Sequence, residues 1–207
     1  MKCSLELQSL ADGIGCWKAL NTEAEYPDEY NFISSGCGLV ERNGLRAPSW
    51  YAYQFLSALY PRLIFRGPGT CVTTDGSDRF VLLLHNCKNY SSVFCRNYTA
   101  DLAMEFQNPL LYTSNSAIVE ELTLTGLPQK RYRITRYLIG DYHGCLAHVI
   151  QQTGALDPND PTILDYLAGQ SLPHRQSHLT DSTGTLTLRL TLQPDEVMMV
   201  RLVPEEF

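Results

Sequence analysis

The sequence lacks three features that would each direct its interpretation. It contains no apolar run of about 18 residues, the length that a membrane-spanning helix needs. Its first residues, MKCSLEL, also lack the apolar stretch of a signal peptide. None of its 7 cysteines lies in a CxxC pair, which argues against a zinc site or a redox motif. We therefore predict no membrane contact, no metal or other cofactor, and a cytoplasmic location in which the cysteines stay reduced and act as small apolar side chains.

Basic charge is also scarce. The chain has 16 Lys and Arg residues against 22 Asp and Glu residues, and the basic residues are scattered, so a nucleic-acid surface is not expected. What is present is apolar: 44% of the 207 residues are hydrophobic and 18% are charged, which is enough for a sizeable core. This length accommodates one large domain, or one domain with a fragment of another.

The first 60 residues are predicted to contain a helix end at 5–10, a strand, a loop and a helix. Residues 13–20, GIGCWKAL, are expected to form a short buried strand, and a polar loop follows it. Asn43 and Gly44 indicate a tight turn. Pro48 suits the first position of a helix, and Pro61 ends the run of apolar residues at helical spacing.

After residue 60 the apolar pattern changes to the two-residue period of strands. Residues 185–192 show it most plainly, because four leucines alternate with polar residues and predict one face in a core and one in water. Residues 91–116 are predicted to be a loop, and 145–152 and 161–168 short helices. Several short strands of this kind are typical of a β-sandwich or an open barrel. The further predictions are strands at 70–74, 80–85, 119–125, 132–139 and 197–203, a hairpin across 75–78 and a terminal hairpin at 194–196.

Three stretches in this order resemble the C-terminal end of the β-xylosidases of glycoside hydrolase family 39 (GH39). They read GIGCWKALNTEAEY, SSGCGLVERNGLRAPSWYAYQFLSAL and RGPGTCVTT. The similarity continues through YRITRYLIGDYHGCLAHVIQQTGAL and PTILDYLAGQS. The resemblance implies a mainly β fold, in which a β-sandwich accessory domain at 61–207 is preceded at 1–60 by the last strand, loop and helix of a (β/α)8 barrel.

The same resemblance implies where the catalytic groups lie. GH39 enzymes are retaining glycosidases, which use two carboxylates roughly 5–5.5 Å apart as acid–base and nucleophile. These glutamates belong to the fourth and seventh strands of a barrel that takes about 250 residues. We therefore expect both of them upstream of residue 1 and no catalytic residue in this chain. Glu23 and Glu25 look like a Thr-Glu-aromatic nucleophile motif, but they belong to the loop after the eighth strand.

Two residues are carried over from the family as candidate substrate-binding groups. Trp17 matches the Trp at the C-terminal end of the eighth strand, where its indole would stack on a sugar ring. Glu25 matches an acidic position whose carboxylate would accept hydrogen bonds from xylose hydroxyls. After the Trp the family commonly has an aromatic residue, a small polar residue and Asp. This chain has Ala19, Leu20 and Asn21 instead, and a buried packing role for Trp17 is the alternative.

Weaker candidates lie in the second half of the chain. The spacing of His143 and His148 does not put them on one helix face, and no acidic residue completes a metal set, so structural or surface roles are expected. Pro173 and polar neighbours predict a loop around His174 and His178. Cross-strand pairing rather than a sugar platform is predicted for Tyr132, Arg133, Arg136 and Tyr137.

Three functions stay open at this level. The chain is a structural accessory region of a β-xylosidase-like glycosidase, a carbohydrate-binding module, or the sugar-sensing segment of an AraC-type transcription regulator, a type of protein to which GH39 modules are also joined. The partner implied for the complete protein is a xylose-type glycoside, and whether that protein is an active enzyme is left open. The strand at 13–20 would have no paired neighbours in this chain, and an unpaired apolar edge predicts a homodimer through it.

Overall fold

The computed structural model describes residues 15, 19–20, 38–41, 43–89, 91–92, 113, 116–153, 157 and 160–205. Its helices are α1 (Pro48–Ser57), α2 (Leu146–Thr153) and α3 (Pro161–Gln170). Its strands are β1 (Arg62–Gly67), β2 (Thr70–Thr74), β3 (Phe80–His85), β4 (Ile118–Thr125), β5 (Arg131–Ile139), β6 (His174–Asp181), β7 (Thr185–Leu192) and β8 (Val197–Pro204). The described part of the chain is therefore mainly β, as the sequence predicts. The predicted helix end at 5–10 and most of the predicted loop at 91–116 lie outside the described residues.

The strands form two antiparallel sheets. The larger sheet has six strands in the order β1-β2-β3-β8-β5-β6, and the smaller sheet consists of β4 and β7. The small sheet packs its apolar face against β2, β3, β8 and β5 of the large one. The predicted β-sandwich is confirmed, and the strand bounds agree with the predicted ones to within a residue for the six strands that the sequence indicates.

The core between the sheets consists of side chains that alternate along the strands. In β7, the four leucines are buried while the residues between them are exposed. Across the sandwich they meet Val200 and Leu202 of β8 and Leu82 and Leu84 of β3 in one cluster. Each fully buried side chain of this size contributes about 1.5–3 kcal/mol relative to an exposed one. The two-residue period that predicts β7 thus reflects a sheet with one face on a core.

Strands β3 and β8 are buried on both faces of the large sheet. The face that points away from the small sheet is covered by α1, whose Tyr51 and Phe55 pack on Val81 and Leu83 in a second cluster. The ring centroid of Phe55 lies 6.3 Å from that of Tyr137 on β5. Because both faces are covered, β3 and β8 show nearly continuous apolar runs instead of alternation.

Helices α2 and α3 pack on each other through a third cluster, which consists of Leu45, Leu146, Ile150 and Leu167. Asp160 caps α3, since its Oδ1 accepts hydrogen bonds from the Thr162 backbone N–H at 2.8 Å and from the Thr162 hydroxyl at 2.6 Å. The hydroxyl and backbone hydrogen bonds lower the pKa of the Asp160 carboxyl. Pro161 occupies the first helical position, where its missing N–H costs nothing.

The predicted terminal hairpin is wrong. Strand β7 pairs with β4, whereas β8 pairs with β3 and β5, so the turn at 194–196 carries the chain from one sheet to the other. The physical reason is that the leucine face of β7 covers β8 from the opposite side of the core and does not extend it sideways. Asp195, at a φ of 63°, supports this crossing because its carboxylate accepts the Lys88 N–H at 3.1 Å and pairs with the Lys88 ammonium. The predicted hairpin of β2 and β3 is confirmed.

The two edge strands, β1 and β6, are absent from the sequence-based prediction. The loop expected around His174 and His178 is wrong, since β6 pairs with β5 along its whole length. Neither edge strand shows apolar alternation, because nearly all residues of both are exposed. A strand with water on both faces carries no period in its sequence.

Among the described residues, no helix combines the length and the apolar character that crossing a bilayer requires. Cys71 and Cys145 are free thiols. Burial raises the pKa of the Cys71 thiol, and the positive charge of Arg66 offsets part of that effect. The Cys71 thiol therefore stays protonated at neutral pH and packs as a small apolar group.

Replacing Tyr132 by phenylalanine is expected to leave the free energy of unfolding unchanged or to raise it by about 1 kcal/mol at neutral pH. The Tyr132 ring is fully buried in the inner core, and its hydroxyl has no hydrogen-bond partner. A buried hydroxyl without a partner costs its desolvation, and the substitution removes that cost. Urea unfolding of both proteins measures the difference, and a loss above 1 kcal/mol would contradict an unpaired hydroxyl.

The same substitution has a signature at alkaline pH. Burial, followed by the charge of Asp78, raises the pKa of Tyr132, while Lys130 acts in the opposite direction. Because the pKa is higher in the folded than in the unfolded chain, this contribution to stability is complete below the unfolded value of about 10 and is lost as the pH rises through the folded value. Unfolding measured across this range should show a steeper alkaline loss in the native chain than in the phenylalanine variant.

Candidate functional site

The two candidate substrate-binding residues, Trp17 and Glu25, lie outside the described residues, and so does Glu23. Of the strand predicted at 13–20, the structure describes Gly15, Ala19 and Leu20. The Ala19 carbonyl accepts hydrogen bonds from the backbone N–H groups of Leu39 at 2.9 Å and Val40 at 3.1 Å, and Leu20 forms a parallel bridge with Val40. The end of the predicted strand is thus joined to the segment that leads into α1.

The described residues of that segment, 38–41 and 43–47, belong to a tight loop held by its own backbone. The Glu41 N–H donates to the Leu45 carbonyl at 2.8 Å, and Gly44 between them adopts a φ of 84°. The Asn43 side chain accepts the Leu45 N–H at 3.2 Å. Asn43 and Gly44 therefore form the turn that the sequence predicts, and the Leu45 side chain reaches the cluster formed by α2 and α3.

Helix α1 connects this loop to the large sheet. It begins at Pro48, as predicted, and the Ser49 hydroxyl donates to the Gly38 carbonyl at 2.9 Å. The Arg46 guanidinium lies 5.1 Å from the centroid of the Trp50 ring, a cation–π contact. A chain of contacts therefore runs from Ala19 through the loop at 38–47 and α1 to the sandwich.

Two carboxylates are buried in the described part of the chain, Glu41 and Glu196. Glu196 accepts the N–H of Gln193 at 2.7 Å, which closes the turn between the two sheets. Glu41 lies in the tight loop before α1. Within the described residues, no group of three or more His, Cys, Asp and Glu side chains is placed to hold a metal ion.

The aromatic and basic residues of β5 divide between the two faces of the large sheet. The Arg133 guanidinium donates to Glu205 at 2.9 Å, a cross-strand ion pair of the kind predicted. Tyr132 is buried between the sheets, and Tyr137 packs near Phe55 on the other face. Arg136 differs from these residues because it forms no such pair and points to a cavity described below.

The four histidines in question have two kinds of surroundings. His148 has a structural role, since its Nε2 lies 2.9 Å from the Gln152 amide nitrogen and its ring meets the ring of Tyr142 edge-on at 4.8 Å. His143 lies in a turn closed by two backbone hydrogen bonds with Gly140, and its ring lies 4.8 Å from the ring of His174 on β6. His178 is exposed further along β6. The fold therefore brings together two histidines that the sequence analysis treats separately.

A cavity of about 240 Å³ opens at this histidine pair, between β5, β6 and β7. We call it the cationic cavity. Its apolar walls are Leu138 and Met198, and its polar lining consists of Arg136, His143, His174, Gln176, Arg189 and Thr191.

Sequence reasoning misses this cavity because it misses β6. In register with β5, His174 pairs with Leu138 and Gln176 with Arg136, so these side chains share one face of the sheet. The signal available in the sequence is the alternation of His174, Gln176 and His178, which a strand would place on one side. This alternation is a weak indication of a strand, because none of these residues is apolar.

Solved structures share this fold. The alignment with a monomeric β-xylosidase from Caulobacter crescentus CB15 covers 98% of this chain and 40% of the β-xylosidase chain, with a TM-score of 0.75 and 19% sequence identity. The alignment with the GH39 enzyme from Xanthomonas axonopodis pv. citri covers 99% of this chain and 39% of the enzyme's chain, with a TM-score of 0.72 and 19% sequence identity. A bacterial orthologue of human α-L-iduronidase matches 78% of this chain with a TM-score of 0.54 and 12% identity.

These likenesses confirm the predicted GH39-like C-terminal fold. The chain spans about two fifths of the length of the two GH39-type structures. No protein-family model and no curated protein sequence matches it. The alternative of a segment of an AraC-type regulator finds no support among these structures.

Proposed function

We propose that this chain is the C-terminal accessory β-sandwich region of a GH39-like, retaining, β-xylosidase-like glycoside hydrolase, and that its role there is structural. The observation that carries the proposal is the fold shared over 98% of the chain with a β-xylosidase of which it spans 40%. In this proposal, the two catalytic glutamates belong to barrel strands outside this polypeptide.

The contacts on the N-terminal side of the sandwich give this role a physical basis. Phe55 and Tyr51 fix α1 on the large sheet, and the Ser49 hydroxyl fixes the loop at 38–47 on α1. The loop in turn binds the backbone of Ala19. In the complete protein the sandwich would therefore hold the end of the eighth barrel strand, and with it the loop that carries Trp17 and Glu25, in position for a xylose-type glycoside.

The positions of the two buried carboxylates in the described part of the chain support the proposal that it carries no catalytic pair. A retaining glycosidase needs two carboxyl groups facing each other across a cleft, roughly 5–5.5 Å apart. Glu196 is occupied by a backbone hydrogen bond in the turn between the sheets, and Glu41 lies in the loop before α1. Neither lines the cationic cavity.

A carbohydrate-binding module is less favoured. Such modules bind glycans through aromatic rings arranged as a platform. The exposed aromatic residues among those described, Phe65, Tyr142 and Tyr166, lie on three different elements, namely β1, the turn before α2 and α3, and do not follow one strand as a platform would. Titration with xylo-oligosaccharides, followed by tryptophan fluorescence, is expected to give no saturable change.

Assay of the purified chain with an aryl β-xyloside tests the proposal. We expect hydrolysis at the rate of the buffer blank, because neither member of the carboxylate pair is present. The matched control is the double variant Glu23→Gln, Glu25→Gln, which removes the acidic groups of the loop. A rate above the blank that this variant abolishes would place a nucleophile in the chain and overturn the proposal.

The reading frame upstream of residue 1 provides a second test. It is expected to encode seven further barrel strands with a glutamate at the ends of the fourth and the seventh. A protein that includes this segment should hydrolyse the same substrate, and the glutamate variants of that protein should not. An upstream frame without such a barrel would contradict the accessory role.

A further inference from the structure

The cationic cavity has a charge that the rest of the chain does not share. The protein carries a net charge of −6, yet the residues that line this cavity include two arginines and two histidines and no aspartate or glutamate. Among the described residues, neither Arg136 nor Arg189 takes part in an ion pair; the acidic residue nearest in register is Glu121, which lies opposite Arg189 on β4. Positive charge is therefore concentrated in the lining of this cavity, and the described carboxylate nearest to it in register, Glu121, is not itself part of the lining.

Arg136 supplies an independent observation. Its Nε is buried and has no hydrogen-bond partner. The residue as a whole is half-buried and lies in the middle of β5. Its cross-strand neighbours, Val200 on β8 and Gln176 on β6, hold its stem across the inner face of the sheet. A buried guanidinium N–H without an acceptor costs free energy, and nearly all such groups in folded proteins have a partner. Arg136 also lines the cavity, so an acceptor bound there would pair with the accessible nitrogens of its guanidinium.

The remaining lining groups are suited to the same kind of ligand. The rings of His143 and His174 lie 4.8 Å apart with an angle of 32° between their planes, and both line the cavity. Gln176 and Thr191 add an amide and a hydroxyl. Arginine offers a planar fork of donors that matches the oxygens of a carboxylate or a phosphate. The set is rich in donors and contains no anionic acceptor.

Size limits the ligand. The volume of about 240 Å³ is somewhat below the roughly 300–1,000 Å³ of most small-molecule sites. Leu138 and Met198 form an apolar wall on which a compact ring or alkyl group can rest. These dimensions favour a small oxyanion over an extended polyanion, which would need a basic stripe beyond the cavity.

We propose that the cationic cavity is a binding site for a small oxyanion, either inorganic phosphate or the carboxylate of a sugar acid. Arg136 and Arg189 bind the charged oxygens, and His143 and His174 lie at the opening as further donors. The site lies on the sandwich itself and does not depend on the proposed glycosidase function, so failure of either proposal leaves the other in place.

Titration calorimetry at low ionic strength, where screening is weak, tests the site. The probes are inorganic phosphate, glucuronate and glucose, the last being a neutral sugar of similar size. We expect saturable binding of phosphate, glucuronate or both with a Kd on the order of 1 mM or tighter, and none of glucose. Binding of phosphate alone identifies the inorganic ion, and binding of glucuronate alone identifies the sugar acid. Saturation by neither, or equal binding of glucose, would overturn the proposal.

Matched arginine variants test the location. Arg136→Gln and Arg189→Gln are each expected to weaken binding about tenfold or more, because each removes a charge-assisted hydrogen bond. The control is Arg175→Gln, which makes the same change in net charge on β6, on the face opposite to His174 and Gln176. It should change the affinity by no more than about twofold. Equal effects of all three would show nonspecific charge attraction and overturn the site.

Two further readouts keep the result independent of folding defects. Arg189 is exposed, so its replacement leaves the core unchanged, and circular dichroism confirms the fold of each variant. In proton NMR spectra, the ring signals of His143 and His174 should move on addition of the bound anion, while those of His148, which contacts Gln152 and does not line the cavity, should not. Movement of the His148 signals alone would place the anion elsewhere.

Discussion

Replacing Phe55 by alanine is expected to lower the free energy of unfolding by about 3–5 kcal/mol. Phe55 is 1% exposed and lies where α1 meets the large sheet, next to Val81, Leu83 and Met199. Its removal costs both the burial of the ring and the cavity left between the helix and the sheet. Urea unfolding followed by circular dichroism measures the loss.

The matched control is Gln54→Ala on the exposed side of the same helix, which should change stability by no more than about 0.5 kcal/mol. The experiment also tests how α1 relates to the sandwich. If α1 and the sandwich unfold together, the Phe55 variant shows one transition at lower denaturant. If the sandwich keeps its original midpoint while only helical signal is lost early, the helix is not part of the cooperative core, and the contribution assigned to Phe55 is wrong.

The division of the chain at residue 60 stays a prediction, and these contacts explain why it is hard to draw from sequence. The apolar spacing of Ala52, Phe55 and Leu59 predicts a helix with one buried face but says nothing about which partner buries it. In the structure that partner is the sheet formed by β3 and β8. Both strands are buried on two sides, and the presence of α1 on one of those sides is what makes their sequences continuously apolar.

The strands that the sequence predicts are those with at least one covered face. In β7 the leucines alternate because one face lies on the core, and in β3 the run is continuous because both faces are covered. The edge strands escape prediction because exposure on both faces removes the requirement for apolar residues. In β1 this exposure even includes Leu63 and Phe65, and the register there shifts by a bulge, so no period survives.

The candidate sites also differ in whether the sequence could indicate them. Trp17 and Glu25 rest on the resemblance to GH39 alone, and their roles stay predictions because they lie outside the described residues. The cationic cavity is assembled from β5, β6, β7 and the turn at His143, which are distant in sequence. Strand β5 meets β6 by strand pairing, and β7 meets β5 through the packing of the two sheets. No spacing rule within one segment could have brought Arg136 and Arg189 together.

The stretch RGPGT is one of those that carry the resemblance to GH39. The backbone of its turn explains why glycine is needed there and predicts a second large effect of a substitution on stability. Pro68 and Gly69 connect β1 to β2, and Gly69 adopts a φ of 72°. Proline followed by a residue with positive φ is the pattern of a type II turn, in which glycine is preferred at the second position. A Cβ added to Gly69 would lie 2.8 Å from the His85 carbonyl oxygen, which belongs to the backbone of β3.

Gly69→Ala is therefore expected to lower the free energy of unfolding by about 2–4 kcal/mol, the sum of left-handed backbone strain and the loss of a close backbone contact. The contact at risk is the hydrogen bond from the His85 N–H to the Gly69 carbonyl at 2.9 Å, which joins the turn to β3. Gly126→Ala is the matched control. Gly126 has nearly the same φ of 74° but open space where a Cβ would lie, so only the strain of about 1–2 kcal/mol applies. Urea unfolding of both variants separates the two terms. Equal losses would mean that the crowding at His85 contributes nothing and that backbone conformation alone selects glycine in this turn.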